Sequence, residues 1–280
     1  MDSRKVSVIM GIYNCADTLP TAIDSILEQT YTNWELIMCD DGSNDETYAV
    51  ATQYVQQYPD KIRLIRHDTN QYLSASLNDC LKLASGYYVA RMDGDDISVP
   101  ERFAKQVEFL EENPEYQLVG SAMQWFNESG QLGVLQKPAR PDKYSLKGMP
   151  PFNHATIMTY KSVYDALGGY LVSERTRRAQ DLELWFRFYA KGYNGANLAE
   201  PLYLCREDVS AIKRRTFKVR FNAYKTRIIG YKMLGYPWHW YIPPTLGLLK
   251  SLIPSRVFYS YRKLQSWVQK KRQNHEHDVS

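Results

Sequence analysis

The sequence lacks the features that mark membrane-spanning, secreted and zinc-binding proteins. No apolar run in its 280 residues reaches the roughly 18–20 uninterrupted residues of a spanning helix. The N-terminal stretch MDSRKVSVIM contains no apolar signal-peptide segment. The four cysteines are scattered, with no CxxC pair and no histidine at ligand spacing, which argues against a zinc site or a disulfide scaffold. We therefore expect a protein of a reducing, cytoplasmic compartment.

Acidic residues are nearly absent from the C-terminal quarter of the chain. Residues 210–280 hold 15 Lys and Arg against 2 acidic residues, a net charge of +13, whereas residues 1–209 hold 20 basic and 29 acidic residues, a net charge of −9. The 22 tyrosines and 6 tryptophans argue against disorder over most of the length. The acidic region suits a cation-dependent site, and the basic, aromatic tail suits an anionic surface, either membrane lipid or nucleic acid.

Short apolar runs rich in β-branched residues alternate with segments of helical periodicity over residues 1–115. The predicted strands are 6–12, 34–39, 62–67 and 87–92, and the predicted helices are 19–27, 46–58, 73–84 and one opened by a capping box from Ser98 to Glu101. This alternation predicts an α/β fold with a mostly parallel sheet and right-handed crossovers. Two acidic turns, Asp40–Ser43 and Asp93–Asp96, follow strand ends, at the sheet edge where α/β proteins bind ligands.

The second half of the chain is less regular. Its pattern predicts strands over 118–126, 132–135 and 152–159, and helices over 161–167 and from Asp181 onward. No internal repeat and no low-complexity segment interrupts it. We therefore expect one domain up to residue 209, followed by the basic tail.

Aromatic residues in the tail recur at helical spacing with Lys and Arg between them. Phe217, Phe221, Tyr224 and Ile228 follow one another at three- and four-residue steps, which predicts a basic amphipathic helix. Trp and Tyr flanked by cations, as at 236–241, are typical of a helix that lies on a membrane. We expect contact with a membrane surface through residues 214–270. The alternative is that the aromatic stripe packs on the preceding domain as ordinary core.

The acidic turns carry the residues with the clearest chemical meaning. Asp93 and Asp95 flank a glycine, and carboxylates so placed can hold Mg²⁺ or Mn²⁺ with open positions for phosphate oxygens. Asp40 and Asp41 can bind a metal or hydrogen-bond a ribose or base. Both turns also fit the ordinary chemistry of turns and helix caps. Tyr13, at the end of the first strand, either stacks on a base or belongs to the rim of the core.

Four further residues are candidates on the other side of such a site. Asp181, at the start of a predicted helix, is either a cap or a general base. His154 either lines an acceptor site or is a hydrogen-bonded structural histidine. Arg175 and Arg178, with Arg177 between them, either pair with a diphosphate or lie in a solvated loop.

Together these motifs resemble the inverting family 2 glycosyltransferases with the GT-A fold. The resemblance covers Val6 to Tyr203 and rests on five strings in the family's order: VSVIM through Tyr13-Asn14, SILEQTY at 25–31, ELI into Asp40–Ser43, Asp93–Asp96 with Pro100-Glu101-Arg102, and Gln180-Asp181 with Leu184-Trp185. Two departures are mild. Gln180 stands where the family usually has Glu, and Gly11-Ile12 replaces the usual Pro-x before Tyr13.

The resemblance implies roles for individual positions. Tyr13 matches the residue near the uracil, and Asp41, with Asp40 beside it, matches the carboxylate that reads the uracil N–H. Asp93 and Asp95 match the metal-binding DxD pair. Asp181 matches the catalytic base, and a position like His154 is often near the acceptor.

The resemblance also implies an overall organisation and activity. Residues 1–209 would form the GT-A domain, a mixed, mainly parallel sheet flanked by helices, with a nucleotide-binding half (1–115) and an acceptor-binding half (116–209). Residues 210–280 would form the helical basic tail. The implied reaction moves a sugar from a UDP-sugar, with Mn²⁺ or Mg²⁺, to a glycan or lipid-linked oligosaccharide. Capsule, exopolysaccharide or O-antigen assembly at the inner face of the cell membrane is the implied context.

Three other classes remain as alternatives. A nucleotidyltransferase would normally show a Gly-rich phosphate loop near the first strand, and residues 11–20 lack one. A catalytically inactive module that binds nucleotide-sugar or glycan would have the same cleft. A nucleic-acid binder would use the basic tail, but the tail has no recognition motif, so we expect no nucleic-acid partner.

Overall fold

The computed structural model of the chain describes residues 4–207 and 216–250. The strands are β1 (Val6–Ile12), β2 (Trp34–Asp40), β3 (Ile62–Arg66), β4 (Tyr88–Asp93), β5 (Ile97–Ser98), β6 (Leu118–Asn127), β7 (Gly130–Leu135), β8 (Met158–Tyr160) and β9 (Gly195–Arg206). The helices are α1 (Leu19–Leu27), α2 (Thr47–Gln57), α3 (Leu73–Leu83), α4 (Arg102–Glu112), α5 (Lys161–Leu167), α6 (Gln180–Ala190), α7 (Phe217–Met233) and α8 (Ile242–Lys250). In the first 93 residues, no predicted end differs from the observed one by more than a single residue.

All nine strands join one mixed sheet. Its order is β3-β2-β1-β4-β8-β6-β9-β5, with β7 paired to β6. The first four strands in this order are parallel, as predicted. Beyond β4 the pairing is antiparallel except between β6 and β9. The predicted mixed sheet is therefore confirmed, but parallel pairing dominates only in the N-terminal half.

The central strand β1 contributes side chains to a core on each face of the sheet. Val8 and Met10 join a cluster that contains Phe103 of α4. Ile9, which points the other way, joins a cluster that contains Trp185 of α6. Because successive strand residues face opposite sides, an unbroken apolar run predicts burial on both faces. Full burial of one such side chain stabilises the fold by about 1.5–3 kcal/mol.

The predicted capping box at Ser98 is wrong. Helix α4 begins at Arg102, and Ser98 lies in β5. The Ser98 hydroxyl instead accepts a hydrogen bond from Gln29 Nε2 at 3.1 Å. Arg102 is fully buried, and it donates to the backbone carbonyls of Arg91 and Ile157. A tertiary hydrogen-bond network therefore replaces the local cap.

The strand predicted over 152–159 is also only partly correct. A 3₁₀ turn occupies His154–Thr156, and only Met158–Tyr160 forms a strand. The reason is that a buried side chain binds this segment's backbone, since Gln106 Nε2 donates to the Thr156 carbonyl at 2.7 Å. The backbone is thus satisfied without strand pairing.

The helix predicted in the basic tail is present and packs on the domain, but through Thr226, Gly230 and Tyr231 and not through the predicted stripe, of which no member is fully buried. Gly230 of α7 lies against the ring of Phe186, so closely that a β-carbon at this position would approach the ring within 2.1 Å. Tyr231 and Tyr236 are buried in the core cluster that contains α6. Trp238 is 76% exposed. Core packing therefore accounts for part of the aromatic pattern, and another part faces outward.

Within the described ranges, no helix combines the length and apolar character that crossing a bilayer requires. Of the segment predicted to contact a membrane, 214–270, the structure describes residues 216–250, and the prediction for 214–215 and 251–270 lies outside the described residues. The described part of this segment consists of α7, α8 and the turn between them.

Candidate active site

Three neighbouring parallel strands bring the predicted site residues to one edge of the sheet. β1 lies between β2 and β4, with Ile12 in register with Asp40 and Gly11 in register with Asp93. The Asp41 N–H donates to the Ile12 carbonyl at 2.9 Å. The two acidic turns therefore flank the end of β1, as the parallel topology predicts.

The carboxylate of Asp41 is buried and held by donors of its own chain. One oxygen accepts from His67 Nδ1 and the Gln71 N–H, both at 2.8 Å. The other accepts from the Tyr72 N–H at 2.8 Å. The turn that follows needs glycine, because Gly42 has φ +73° and any β-carbon there would meet the Thr69 backbone at 2.9 Å. Asp41 is therefore a fixed acceptor with little freedom to move.

His67 joins this carboxylate to a second one. Its Nε2 lies 2.9 Å from a carboxylate oxygen of Asp79 on α3, while Nδ1 contacts Asp41. Burial acts to lower the pKa of His67, but the hydrogen bonds to the two carboxylates outweigh it and raise that pKa. An imidazole that faces a carboxylate on each side is best satisfied when both nitrogens carry protons. His67 therefore fixes the orientation of Asp41.

Asp40, predicted beside Asp41 in a nucleotide site, lies elsewhere. Its side chain is fully buried and forms an ion pair with Arg66, with Nε 3.4 Å from the nearer carboxylate oxygen. The Arg66 guanidinium also lies over the ring of Tyr48 at 4.2 Å. Asp40 lines neither of the cavities described below. Because adjacent strand residues face opposite sides of a sheet, only one residue of the pair turns toward the cleft.

The second acidic turn forms a cluster of carboxylates. Oxygens of Asp93, Asp95 and Asp96 all lie within 4.8 Å of one another. Asp93 receives both terminal nitrogens of Arg91, one of them at 2.7 Å. Asp96 is buried and accepts from the Arg206 N–H at 2.8 Å. Asp95 is exposed, so this cluster is open to ligands on its Asp95 side.

The cluster carries more negative charge than its surroundings compensate. Burial and the charges of Asp93 and Asp95 raise the pKa of Asp96 to about 7. Desolvation by nearby atoms and the Asp93 charge likewise raise the pKa of Asp95, although its side chain reaches solvent. A set of oxygen ligands under mutual repulsion suits a hard divalent cation such as Mg²⁺ or Mn²⁺. Within the described residues, this is the one group of acidic, histidine or cysteine side chains close enough to share a metal ion.

Two cavities of about 490 Å³ each open beside these turns, and both are lined by Gly11 and Tyr13. The first, here called the Asp41 cavity, also includes Asp41, Tyr72, Arg177, Arg178 and Gln180 in its lining. The second, the Asp95 cavity, also includes Asn14, Asp93, Asp95 and Arg206. The ring of Tyr13 is 45% exposed. The two cavities form one cleft around Tyr13, large enough for a nucleotide-sugar by the usual size of ligand pockets.

Asp181 is half-buried in the first turn of α6. Desolvation raises its pKa, while the Leu182 N–H and the charges of Arg91 and Lys137 act in the opposite direction. Arg91 therefore influences both Asp181 and the acidic cluster. A carboxylate with a raised pKa is a stronger base than a solvated one. Asp181 itself is in the lining of neither the Asp41 nor the Asp95 cavity, but the preceding residue, Gln180, lines the Asp41 cavity.

His154 forms the hydrogen-bonded structural arrangement that was one of its two interpretations. Its Nε2 lies 2.8 Å from the hydroxyl of Tyr170, which in turn lies 2.8 Å from the hydroxyl of Tyr164. Burial and the nearby Arg91 charge hold the pKa of His154 well below its ordinary value. His154 is therefore a neutral side chain that packs beside Trp185.

The arginines before α6 separate into two groups. Arg175 donates to the Thr226 hydroxyl of α7 at 3.2 Å and lines neither the Asp41 nor the Asp95 cavity. Arg177 and Arg178 do line the Asp41 cavity. The structure thus places Arg175 against the tail helix, and it places Arg178 and its neighbour Arg177 in the lining of the Asp41 cavity.

Sequence reasoning missed several residues that shape the site. Asp96 belongs to the quoted acidic string but was not assigned a role. His67 ends a strand at the same sheet edge, and that position was an available signal. Arg91 was visible as a lone charge in an otherwise apolar strand. Tyr72 carried no signal, because its backbone conformation cannot be inferred from its type.

Comparisons with known proteins agree with this geometry. A family model described as "Glycosyl transferase family 2" matches residues 7–169. The chain is 46% identical over 266 residues to the putative glycosyltransferase EpsE of Bacillus subtilis, covering 95% of this chain and 96% of that protein. It is 27% identical over 223 residues to a protein of Escherichia coli named UDP-Glc:alpha-D-GlcNAc-diphosphoundecaprenol beta-1,3-glucosyltransferase WfaP, covering 76% and 81%.

A solved structure shares the fold. The crystal structure of Staphylococcus aureus TarS 1–349 in complex with UDP-GlcNAc superposes with a TM-score of 0.67 at 18% identity, over 89% of this chain and 71% of that one. This likeness confirms the GT-A fold expected from the sequence motifs.

Proposed function

The chain belongs to glycosyl transferase family 2, and we propose that it is an inverting, cation-dependent enzyme that transfers a sugar from a UDP-sugar to a hydroxyl of a lipid-linked glycan. The observation that carries this proposal is that the Asp41 turn and the carboxylates around Asp95 line adjoining cavities that share Tyr13. Asp181 follows Gln180, which lines the Asp41 cavity, and is close enough to Arg91, the partner of Asp93, to feel its charge. A nucleotide, a divalent cation and an acceptor hydroxyl each find a matching group there.

The donor would lie across both cavities. Asp41 lines one cavity, and its orientation is fixed by three donors. An N–H of a uracil can donate to the remaining lone pair of such a carboxylate. Tyr13, which lines both cavities, presents an exposed ring for the base or ribose. The UDP-GlcNAc bound by TarS, a protein of the same fold, supports the choice of nucleotide.

The cation would be held by Asp95 and Asp93, the predicted pair, which both line the Asp95 cavity, with the buried Asp96 as the third carboxylate of the cluster. Negative charge that develops on the departing nucleoside diphosphate would be stabilised by such a cation. Arg177 and Arg178 can stabilise the same charge, because guanidinium groups pair well with phosphate oxygens. These two arginines line the Asp41 cavity, and Asp93 and Asp95 line the Asp95 cavity.

Asp181 would take the proton from the acceptor hydroxyl. The hydroxyl oxygen then bonds to the anomeric carbon as the bond to the diphosphate breaks, with attack from the face opposite the leaving group. This single displacement inverts the anomeric configuration. General-base assistance of this kind contributes about 10²–10⁴ in rate.

The acceptor and the cellular location rest on separate support. The Escherichia coli relative is named for a diphosphoundecaprenol acceptor, which favours a lipid-linked acceptor here in cell-surface polysaccharide synthesis. The described tail exposes Trp238, Ile242, Leu246 and Leu249, and the tail carries the positive charge of the chain. Apolar and cationic side chains together suit an anionic membrane surface. We therefore place the enzyme at the inner face of the cell membrane, as a peripheral protein.

Membrane contact is tested best by substitution rather than truncation. Removal of the tail would also remove Tyr231 and Tyr236 from the core, and so would unfold more than the proposed surface. The variant Trp238→Ser with Leu246→Ser is expected to sediment less with vesicles that contain phosphatidylglycerol. Leu132→Ser, a substitution of an exposed leucine on β7, is the matched control. Equal sedimentation of all three proteins would contradict the membrane proposal.

The reaction is tested by UDP release from a panel of UDP-sugars with Mn²⁺ or Mg²⁺, for the wild type, Asp181→Asn and Asp165→Asn. Asp165 is an exposed carboxylate paired with Lys161 and serves as the control. We expect one UDP-sugar to be hydrolysed slowly, EDTA to stop the reaction, and only Asp181→Asn to lose about 10²–10⁴ in rate.

Other outcomes of this experiment would overturn parts of the proposal. If only dTDP- or GDP-sugars react, the assignment of Asp41 to uracil fails. If a UDP-sugar binds with metal but is never cleaved, even with glycan acceptors present, the chain is an inactive binding module of the same fold.

A further inference from the structure

Tyr72 has a backbone conformation that few residues other than glycine adopt. Its φ is +71° and its ψ is 159°. For an L-residue this region is strained, because the β-carbon crowds the backbone, and such strain persists only where the surrounding structure over-determines it. Among the described residues, the only other non-glycine with positive φ is Asn14, whose φ of 48° lies in the milder left-handed region.

The strain is maintained by hydrogen bonds to the site already described. The Tyr72 N–H donates to Asp41 at 2.8 Å and is also 3.1 Å from Asn70 Oδ1. The Tyr72 carbonyl accepts from the Ala75 N–H at 3.0 Å, which opens helix α3. The backbone is therefore fixed on both sides of the residue. A glycine here would make the same backbone contacts without strain.

Since the backbone here favours glycine, the reason for a tyrosine at this position must lie in its side chain. The ring is 43% exposed, so the residue contributes little to the core. One feature holds it in place: the Arg177 guanidinium lies 3.9 Å from the ring centroid. The ring forms part of the lining of the Asp41 cavity and of a second cavity of about 320 Å³ beside α7. Tyr72 and Arg177 thus form a stacked wall between these two spaces.

The position of the ring relative to Asp41 identifies what it can contact. The Tyr72 N–H and, on the proposed function, the base of the donor both bind the Asp41 carboxylate. The Tyr72 backbone therefore lies within a few ångströms of the base edge, and its ring leaves from that point into the same cavity. Aromatic rings stack on any nucleobase, since every base has a π-face.

We propose that Tyr72, supported from behind by Arg177, is a second aromatic binding residue for the nucleobase of the donor, besides Tyr13. This inference rests on the proposed function, because it assumes a nucleotide in the Asp41 cavity. It explains why a strained tyrosine occupies a place where glycine would be more stable. On this proposal the Tyr72 ring meets the base, whereas the diphosphate lies toward the cation held by the Asp95 cluster.

The test separates the ring from the backbone. Tyr72→Ala removes the ring and keeps the strain, Tyr72→Gly removes both, and Tyr72→Phe keeps the ring. Tyr58→Ala, at the far end of α2 and outside both cavities, is the control. Dissociation constants are measured on the full chain with Mg²⁺ for whichever of UDP, dTDP and GDP the wild type binds best, and for inorganic pyrophosphate, which has no base.

We expect Tyr72→Ala and Tyr72→Gly to weaken nucleotide binding by about 5- to 100-fold, the usual range for loss of one stacked aromatic. Pyrophosphate binding should stay unchanged, and Tyr72→Phe and Tyr58→Ala should behave as wild type. The melting temperature of Tyr72→Gly should exceed that of Tyr72→Ala, since only glycine relieves the strain. A merely structural role would not produce a loss confined to ligands that carry a base.

Two results would overturn the inference. If Tyr72→Gly binds the nucleotide within twofold of wild type, or loses pyrophosphate equally, the ring does not stack on the base. If the wild type binds no nucleoside diphosphate at all, the proposed function fails first and this inference fails with it. In the former case the wild type still binds a nucleotide, so the two failures are distinguishable.

Discussion

Two acidic turns lie at the same edge of the sheet, but they differ in how far the chain itself satisfies their carboxylates. Asp41 is buried, and it accepts from His67 and from two backbone N–H groups. Asp95 and Asp96 face each other and Asp93, and their pKa values are raised by burial and mutual repulsion. The first turn is complete within the chain, whereas the second needs a positive charge from outside. On the proposed function, similar sequence strings therefore serve different purposes, one to orient the nucleotide and one to bind a cation.

The difference arises from what each turn meets in the fold. The Asp41 turn folds back through Gly42 at positive φ, onto the loop between β3 and α3, which supplies donors. The Asp93 turn is followed by β5, and its nearest cationic partners are Arg91 and Arg206. Asp96 accepts from the backbone N–H of Arg206 and from the Tyr203 side chain, which are neutral donors, so neither of them balances the charge of that carboxylate.

The largest effect that would sharpen this comparison is expected for Asp95→Asn. Activity with Mn²⁺ should fall by about 10²–10³, because the exposed ligand of the cluster no longer offers a charged oxygen. The metal-free protein should unfold at the same or a slightly higher temperature, since one member of a repelling group becomes neutral. Activity assays across a Mn²⁺ titration, with thermal unfolding in EDTA, measure both.

The matched control for that variant is Asp165→Asn, which removes an exposed carboxylate outside the cleft. A variant at Asp95 that keeps full activity, with an unchanged Mn²⁺ requirement, would show that the cluster does not hold the cation. If the Asp95 variant instead lost much of its metal-free stability, the Asp95 carboxylate would be satisfied within the chain without a cation. The contrast with Asp41 would then disappear.

Asp41→Ala should have the opposite consequence for folding. It leaves His67 and the N–H groups of Gln71 and Tyr72 without their acceptor in a buried place. Loss of a buried charged acceptor costs on the order of 2–4 kcal/mol in the free energy of unfolding. Urea unfolding in EDTA measures it, with Asp95→Ala as the comparison. Equal stability of the two variants would break the distinction between a completed and an open turn.

The pH dependence of metal-free stability should come mainly from the open turn. A carboxylate whose pKa is raised by folding binds more protons in the native state, so the free energy of unfolding falls as pH rises. With an Asp96 pKa of about 7, the fall should lie between about pH 5 and 7 and amount to about 1–3 kcal/mol. Urea unfolding of wild type and Asp96→Asn at pH 5.5, 6.5 and 7.5 measures it.

His67 contributes in the same direction, because its raised pKa gives stability that is lost as pH rises through that pKa. Saturating Mn²⁺ should remove the part that belongs to Asp96 and leave the part that belongs to His67. Stability that rises with pH over this window in EDTA would contradict the raised pKa of the cluster.

Much of this contrast could be predicted from local patterns. Unbroken apolar runs located β1, β2 and β4, and their parallel order placed both acidic turns at one edge. Asp41 and Asp95 line the two cavities at that edge. These placements could be predicted because each depends on strand direction and on a turn that follows directly in the chain. The roles that the family motifs imply for Asp41, Asp95 and Asp181 stay predictions.

Other features depend on contacts between distant segments, and no local pattern encodes them. Asp40 and Asp41 are adjacent in sequence, but the pleat directs one to Arg66 and the other to the cleft. Ser98 begins a sequence that is typical of a helix cap, yet its hydroxyl accepts a hydrogen bond from Gln29. Arg175 is separated from Arg178 by two residues and is drawn to α7. Each outcome was decided by a partner more than 25 residues away in the chain.

The smallest effect, and the most specific test of the completed turn, is expected for His67→Gln. A glutamine amide can donate to Asp41 or to Asp79 but cannot supply the charge that both carboxylates share. We expect a loss of about 1 kcal/mol in the free energy of unfolding and, because Asp41 is less firmly oriented, a three- to tenfold weaker binding of UDP, roughly the effect of one hydrogen bond.

The decisive readout for this variant is the pH profile of UDP binding at saturating Mg²⁺. In the wild type, affinity should decline as pH rises through the raised pKa of His67, because a neutral imidazole can donate to only one of its two carboxylates. The variant has no proton to lose there, so its profile should be flat over the same range. If instead both proteins decline in parallel, another group controls the orientation of Asp41, and the turn is not completed by His67.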